Sequence, residues 1–328
     1  MRPVILGLVA FSALLLVAPG NGQEHTYGQP PTPRVVAYVQ VALQHGDLES
    51  ASALVTQYRR LYGDTPEALE ALSWVARGEL AAGRVDEASK HIEEIQHSAQ
   101  VALATRKLDA EPHLPLALGA AYELQAQILA QQQKRTEAIQ LLQSALRTWR
   151  GTSITDRLRK NLNLLTLEGK PVPLLQEAEW LGPKPATLAG LRGKVVLLFF
   201  WAHWCPDCKA EAPIIAQLAS EFGSKGLAVI APTRRYGYTA DDEHASAENE
   251  TAFIDKVYAR YYSTIPNAGV PLDERNFERF GVSTTPTIVL VNRQGIVKLY
   301  HPGAMEEPAL RTAIEQLLNA HTTTRASR

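Results

Sequence analysis

Val195-Val196-Leu197-Leu198-Phe199-Phe200 runs without a break into Trp201-Ala202-His203-Trp204-Cys205-Pro206-Asp207-Cys208. Six consecutive apolar, β-favouring residues read as a strand buried on both faces. A helical stretch follows from Cys208 to Phe222, interrupted by Pro213, which predicts a kink. The turn between strand and helix places Cys205 where unpaired backbone N–H groups and the helix dipole stabilise negative charge. A free thiol titrates near pH ~8.5, and a helix-start position lowers that value by one to several units. Cys205 is therefore the expected nucleophile. Cys208, one turn further in, is the expected resolving thiol, which attacks the Cys205 sulfur and frees the reduced partner.

These are the only two cysteines among 328 residues. Cysteines used as structural staples in exported proteins are usually numerous and scattered, so a single Cys-x-x-Cys points to redox chemistry. A structural zinc site would need four ligands, and although His203 stands beside the pair, no second Cys/His pair has a matching spacing. No metal or cofactor is expected. The formal net charge of −1 supplies no basic field for a phosphate backbone, which argues against a nucleic-acid partner.

Moving towards the C-terminus, Leu227–Ile230 reads as a second short buried strand. Thr287–Val291 and Ile296–Tyr300 flank Asn292-Arg293-Gln294-Gly295 as a hairpin, and a last helix is predicted from Pro308 to Ala320. The first two strands should be parallel, joined by a crossover. Between Thr233 and Leu272 lies a long excursion, Arg234 to Glu250 and then a helix to about Tyr262, which carries Tyr236, Tyr238, Tyr258, Tyr261 and Tyr262. It reads either as a substrate-facing lid or as a surface insertion whose tyrosines pack their own helix. Trp201 is expected in the core, Trp204 as a packing and substrate-facing aromatic, and His203 either as a spacer or, if protonated, as a group favouring the thiolate.

Towards the N-terminus, Arg34 to about Leu167 shows apolar residues at three and four spacing, as in Val35, Tyr38, Val39, Ala42 and Leu43, and reads as helical. A weak repeat runs through it at Gly46–Ala51, Gly83–Ala88 and Gln133–Ala138, each a turn feeding a helix with a small Ala at fixed offset. The spacing of 37 residues between Ala51 and Ala88 is near the ~34 of tetratricopeptide repeats. The second spacing is longer, which an insertion around Val101 to Pro115 would explain. Three degenerate helical hairpins and a closing helix near Asp156 to Leu167 are predicted. This half either docks a protein partner or covers one face of the second half.

The first residues read as a secretory signal over 1–22, with Arg2, an apolar run from Val4 to Ala18, and small residues Gly20 and Gly22. Some fifteen apolar residues fall short of the ~20 needed to span a bilayer, so no stable span is expected after cleavage. Residues 23–33, rich in proline, read as a flexible leader, and 321–328 as a disordered tail. The expected architecture is thus an all-α, tetratricopeptide-like region over 34–167 followed by an α/β region over 168–320.

The segment Trp201 to Pro213 resembles the active-site segment of TlpA/ResA-like thioredoxin-family proteins, and Gly281-Val282-Ser283-Thr284-Thr285-Pro286-Thr287 resembles the same family's cis-proline loop. The resemblance implies a thioredoxin fold in which Pro286 faces the cysteines and the backbone at Thr285 pairs with an extended substrate segment. It also implies a role for Glu211, which shares a helix face with Cys208 and could relay the proton that Cys208 loses. The alternative for Glu211 is a solvated surface side chain. The family more often has proline at the second position between the cysteines, where this chain has Asp207. With Pro206, that residue is expected to tune the pair towards a reductant, since a nearby carboxylate disfavours the thiolate.

An exported, periplasmic or otherwise extracytoplasmic thiol-disulfide oxidoreductase follows, with a disulfide-containing protein as substrate and an outside thiol as electron donor. Two rivals remain. A peroxiredoxin-type peroxidase would need a hydroxyl residue where Ala202 stands, and a repeat-based scaffold would leave the cysteine pair without a task.

Overall fold

The computed structural model describes residues 34–320. The expected signal peptide, leader and tail lie outside them. Seven helices open the described chain: α1 (Val35–Gln44), α2 (Leu48–Tyr62), α3 (Pro66–Ala81), α4 (Val85–Leu103), α5 (His113–Gln131), α6 (Arg135–Thr148) and α7 (Thr155–Thr166). Their starts are written locally. Asp47 accepts a hydrogen bond from the Ser50 amide at 2.9 Å, and Thr65 accepts from the Ala68 amide at 3.2 Å with Pro66 in the first turn. The three small repeat residues Ala51, Ala88 and Ala138 are all fully buried, which lets neighbouring helices approach closely.

The longer second spacing is shared between a longer connection, 104–112 where α2 and α3 have 63–65, and longer helices. α4 continues to Leu103 and α5 begins at His113, each 19 residues long where α2 has 15 and α3 has 16. Only 104–112 leaves the regular pattern, with one 3₁₀ turn at Leu108–Ala110. Pro115 is tolerated inside the first turn of α5, where its missing N–H would have no helical partner anyway.

The second half is built on a four-stranded sheet of order β3-β2-β5-β6: β2 (Val195–Phe200), β3 (Leu227–Ile230), β5 (Thr287–Val291) and β6 (Val297–Pro302). β2 is parallel to β3 and antiparallel to β5, as a crossover and a return require. The hairpin's second strand begins one residue later than expected and runs to Pro302. Helices α8 (Pro206–Phe222), α9 (Ala247–Tyr261), α10 (Glu274–Phe280) and α11 (Glu307–Asn319) pack around the sheet. Helix α10 and a short ladder of β1 (Trp180–Leu181) with β4 (Val270–Pro271) were not foreseen from the sequence.

Alternation along β2 divides the core. Val195, Leu197 and Phe199 face one side with Ile215, Ile254 and Ile314 from α8, α9 and α11. Val196, Leu198 and Phe200 face the other with Phe277, Phe280, Tyr300 and Leu167. Leu167, which follows α7, thus joins the sheet core. At this seam Asn163 of α7 donates to the Phe280 carbonyl at 2.8 Å, and Tyr300 donates to the same oxygen at 2.7 Å. Gly281 has φ of 63°, and a Cβ there would lie 2.4 Å from the Lys160 backbone nitrogen, so only glycine allows the contact.

Candidate functional site

The β2–β5 register decides what meets at the site. Phe200 pairs with Thr287, so the loop leaving the end of β2 and the loop entering β5 emerge side by side. The first carries Cys205 and the second carries Pro286. Cys205 is the N-cap of α8, and its sulfur accepts from the Cys208 amide at 3.1 Å. The two cysteines are joined by a disulfide with Cα atoms 5.3 Å apart. The Thr285–Pro286 bond is cis. The Thr285 carbonyl oxygen lies 3.5 Å from the Cys205 sulfur. The Thr285 hydroxyl is buried and has no hydrogen-bond partner among the described residues. The sequence-predicted residues Cys205, Cys208, Thr285 and Pro286 are therefore brought together.

Trp204 stands on the rim at 44% exposure, while Trp201 is fully buried and stacks on Tyr262 at 4.0 Å. Pro206 and Asp207 occupy the first turn of α8, where the exposed N–H groups of the helix end favour a carboxylate.

Glu211 is not a solvated surface residue, being only 3% exposed. One carboxylate oxygen accepts from the Met305 amide at 3.1 Å, and the other is buried with no partner among the described residues. Burial, with smaller contributions from Asp207 and Glu306, pushes its pKa up from 4.5 to about 7, against the Met305 bond. A group that titrates there can take up or release a proton near neutral pH.

His203 has a buried acidic partner. Its side chain is buried, and Nε2 lies 3.2 Å from Oε1 of the equally buried Glu250. Burial pushes the imidazole pKa below its ordinary value, although Glu250 pulls the other way, so the ring is held neutral at neutral pH. The excursion is correspondingly mixed. Tyr262 is core, whereas Tyr236 is half-buried and meets Trp204 edge-on, with ring centroids 5.6 Å apart. Sequence reasoning missed Glu250, Arg234 and this contact, because nothing local to position 250 signals that its carboxylate reaches a residue 47 positions earlier.

Residues 167–318 match the Redoxin family. The C-terminal half has a thioredoxin-like fold, and its relatives are named variously as a thioredoxin-like protein, a thiol-disulfide oxidoreductase and a thiol:disulfide interchange protein. The thioredoxin-like protein YneN of Bacillus subtilis is 28% identical over 45% of this chain and 79% of its own length. The thiol-disulfide oxidoreductase ResA of Halalkalibacterium halodurans is 27% identical over 39% of this chain, which spans 65% of that relative. The thiol:disulfide interchange protein DsbE of Tatumella citrea is 28% identical over 55% of this chain and 90% of its own length.

Proposed function

We propose that this chain is an exported thiol-disulfide oxidoreductase that reduces disulfides in other proteins. The reading is carried by Cys205 at the start of α8, bonded to Cys208 and 3.5 Å from the carbonyl of the cis Thr285–Pro286 loop. In the reduced chain, the Cys205 thiolate attacks one sulfur of a substrate disulfide, which forms a mixed disulfide and releases the first substrate thiolate. Cys208, deprotonated towards Glu211, then attacks the Cys205 sulfur and releases the second. The substrate has gained two electrons and two protons, and the Cys205–Cys208 disulfide must be reset by an outside dithiol.

Thr285 and Pro286 hold an extended substrate strand beside Cys205, with Trp204 as the flanking aromatic contact. Asp207 beside the pair favours the reducing direction. Export rests on the residues before Arg34, and the location is periplasmic or otherwise extracytoplasmic. Among the described residues no helix is long and apolar enough to cross a membrane. The helical half is the place for a protein partner.

The test is the reduction potential of the protein equilibrated in dithiothreitol or glutathione buffers, with Cys205→Ser as control. A value near or below ~−270 mV supports a reductant, and one near ~−120 mV makes the protein an oxidant. A chain without any Cys205-dependent couple would be a scaffold whose helical half carries the function.

A further inference from the structure

Beside the cysteine pair lies a buried acid–base pair that the exchange steps above leave unused. His203 and Glu250 are each 1% exposed. A carboxylate removed from water needs donors, and Glu250 has three: the backbone amides of Tyr236 and Gly237, the latter at 2.8 Å, and His203 Nε2. With a carboxylate at Nε2, the neutral imidazole carries its proton there. Tyr236, Tyr238 and Phe253 close around the ring edge-on, with centroids 5.3 to 5.5 Å away.

The turn at Tyr236–Gly237 is held from a second direction. The Arg234 guanidinium sits 4.9 Å from the Tyr236 ring centroid and 5.1 Å from that of Phe277. Its Nη1 lies 3.3 Å from Asp156 Oδ2 on α7 and 3.4 Å from Glu274. Tyr236 is thereby fixed against Trp204, the exposed aromatic next to Cys205. Its other ring neighbours within the described contacts are Tyr238, Phe277 and His203, which limit how far the ring can swing.

We propose that Glu250 is a positioning residue for substrate recognition: by holding the Tyr236–Gly237 turn it makes Tyr236 and Trp204 one rigid wall beside Cys205, which selects polypeptide disulfides flanked by large apolar or aromatic side chains. The inference rests on the exchange activity proposed above. A small disulfide has nothing to place against the wall. A polypeptide held by the Thr285 backbone on one side of Cys205 presents its neighbouring side chain to Trp204 on the other.

The experiment mixes the pre-reduced full chain with two oxidised probes, a cyclic disulfide peptide with phenylalanine beside each cysteine and bis(2-hydroxyethyl) disulfide. The reading is the ratio of their second-order rates for the wild type, Glu250→Gln and Tyr236→Leu. The wild type should prefer the peptide, and each variant should lower that preference about tenfold, the size of a well-oriented aromatic contact. Should Glu250→Gln fail to fold, Tyr236→Leu, which leaves the buried pair in place, carries the same comparison alone. Equal losses for both probes would reduce Glu250 to a stabilising residue and overturn the proposal, as would an unchanged ratio or a wild type without preference. Absence of Cys205-dependent exchange with either probe would instead bring down the activity itself, and the inference with it.

Discussion

Glu123 in the helical half and Glu211 in the Redoxin half are both buried carboxylates, 4% and 3% exposed, yet their surroundings drive them in opposite directions. Around Glu123 stand Arg77 at 2.8 Å, Lys160 at 3.0 Å, Arg157 at 3.1 Å and the Asn161 amide at 3.1 Å. Burial alone would raise the Glu123 pKa, but the Lys160, Arg157 and Arg77 charges hold it well below the ordinary carboxylate range. Glu211 has one backbone amide and two acidic neighbours, so burial wins and the carboxyl titrates near neutral pH. The same side chain is a permanent charge that ties three helices, α3, α5 and α7, together in one place and a carboxyl that titrates near neutral pH in the other. What differs is the number of donors aimed at it.

The contrast can be broken most severely at Glu123. Glu123→Ala leaves two arginines and a lysine crowded without their counter-ion, and should cost about 3–5 kcal/mol in urea unfolding. A loss below about 1 kcal/mol would mean that the cations simply swing into water, and Glu123 would be no anchor.

Glu211→Gln should act in the opposite sense on stability. Because the folded pKa of about 7 lies above the ordinary 4.5, the ionised form is disfavoured in the folded chain. Glu211 therefore costs nothing below pH 4.5, and its contribution to stability is lost as pH rises to 7 and beyond. By linkage the substitution should gain up to about 3 kcal/mol at pH 8 relative to pH 4. It should also slow resolution of the mixed disulfide by about 10²-fold and remove a step near pH 7 from its pH profile. A profile identical to the wild type would remove Glu211 from the proton path.

The smallest effect sharpens how the two halves are joined. Gly281→Ala forces an L side chain into a left-handed conformation and against the Lys160 backbone, at a cost of about 2 kcal/mol. If α7 seats the loop that leads into Pro286, the variant should also lower the exchange rate. Unchanged exchange with lowered stability would make the seam purely structural.

The redox centre was legible because its signals are local. A six-residue apolar run and a Cys-x-x-Cys each report on their own neighbourhood, the family resemblance marked Thr285-Pro286, and the structure places Cys205 beside the Thr285 carbonyl. Trp201 and the buried alanines of the helical turns were legible for the same reason. Glu211 was readable as sharing a face with Cys208, but its burial was not, because the Met305 segment that covers it lies 94 residues away. His203 was weighed as a spacer or a cation, but its burial against Glu250 was out of reach of a local reading. The length between the second and third turns read as an insertion around Val101 to Pro115; the connection there is longer, and the additional turn or so in each of α4 and α5 looks like loop growth without their packing.

The amino-acid sequence by itself determined the strand–Cys-x-x-Cys–helix unit and the helical character of the first half, because hydrophobic period, turn residues and helix ends act over a few residues. Only the tertiary structure decided which carboxylates are charged, which are poised to titrate and which aromatic backs Trp204. Those properties depend on the donors and rings that distant segments bring within a few ångströms, and at such short range burial and electrostatics outweigh local preference.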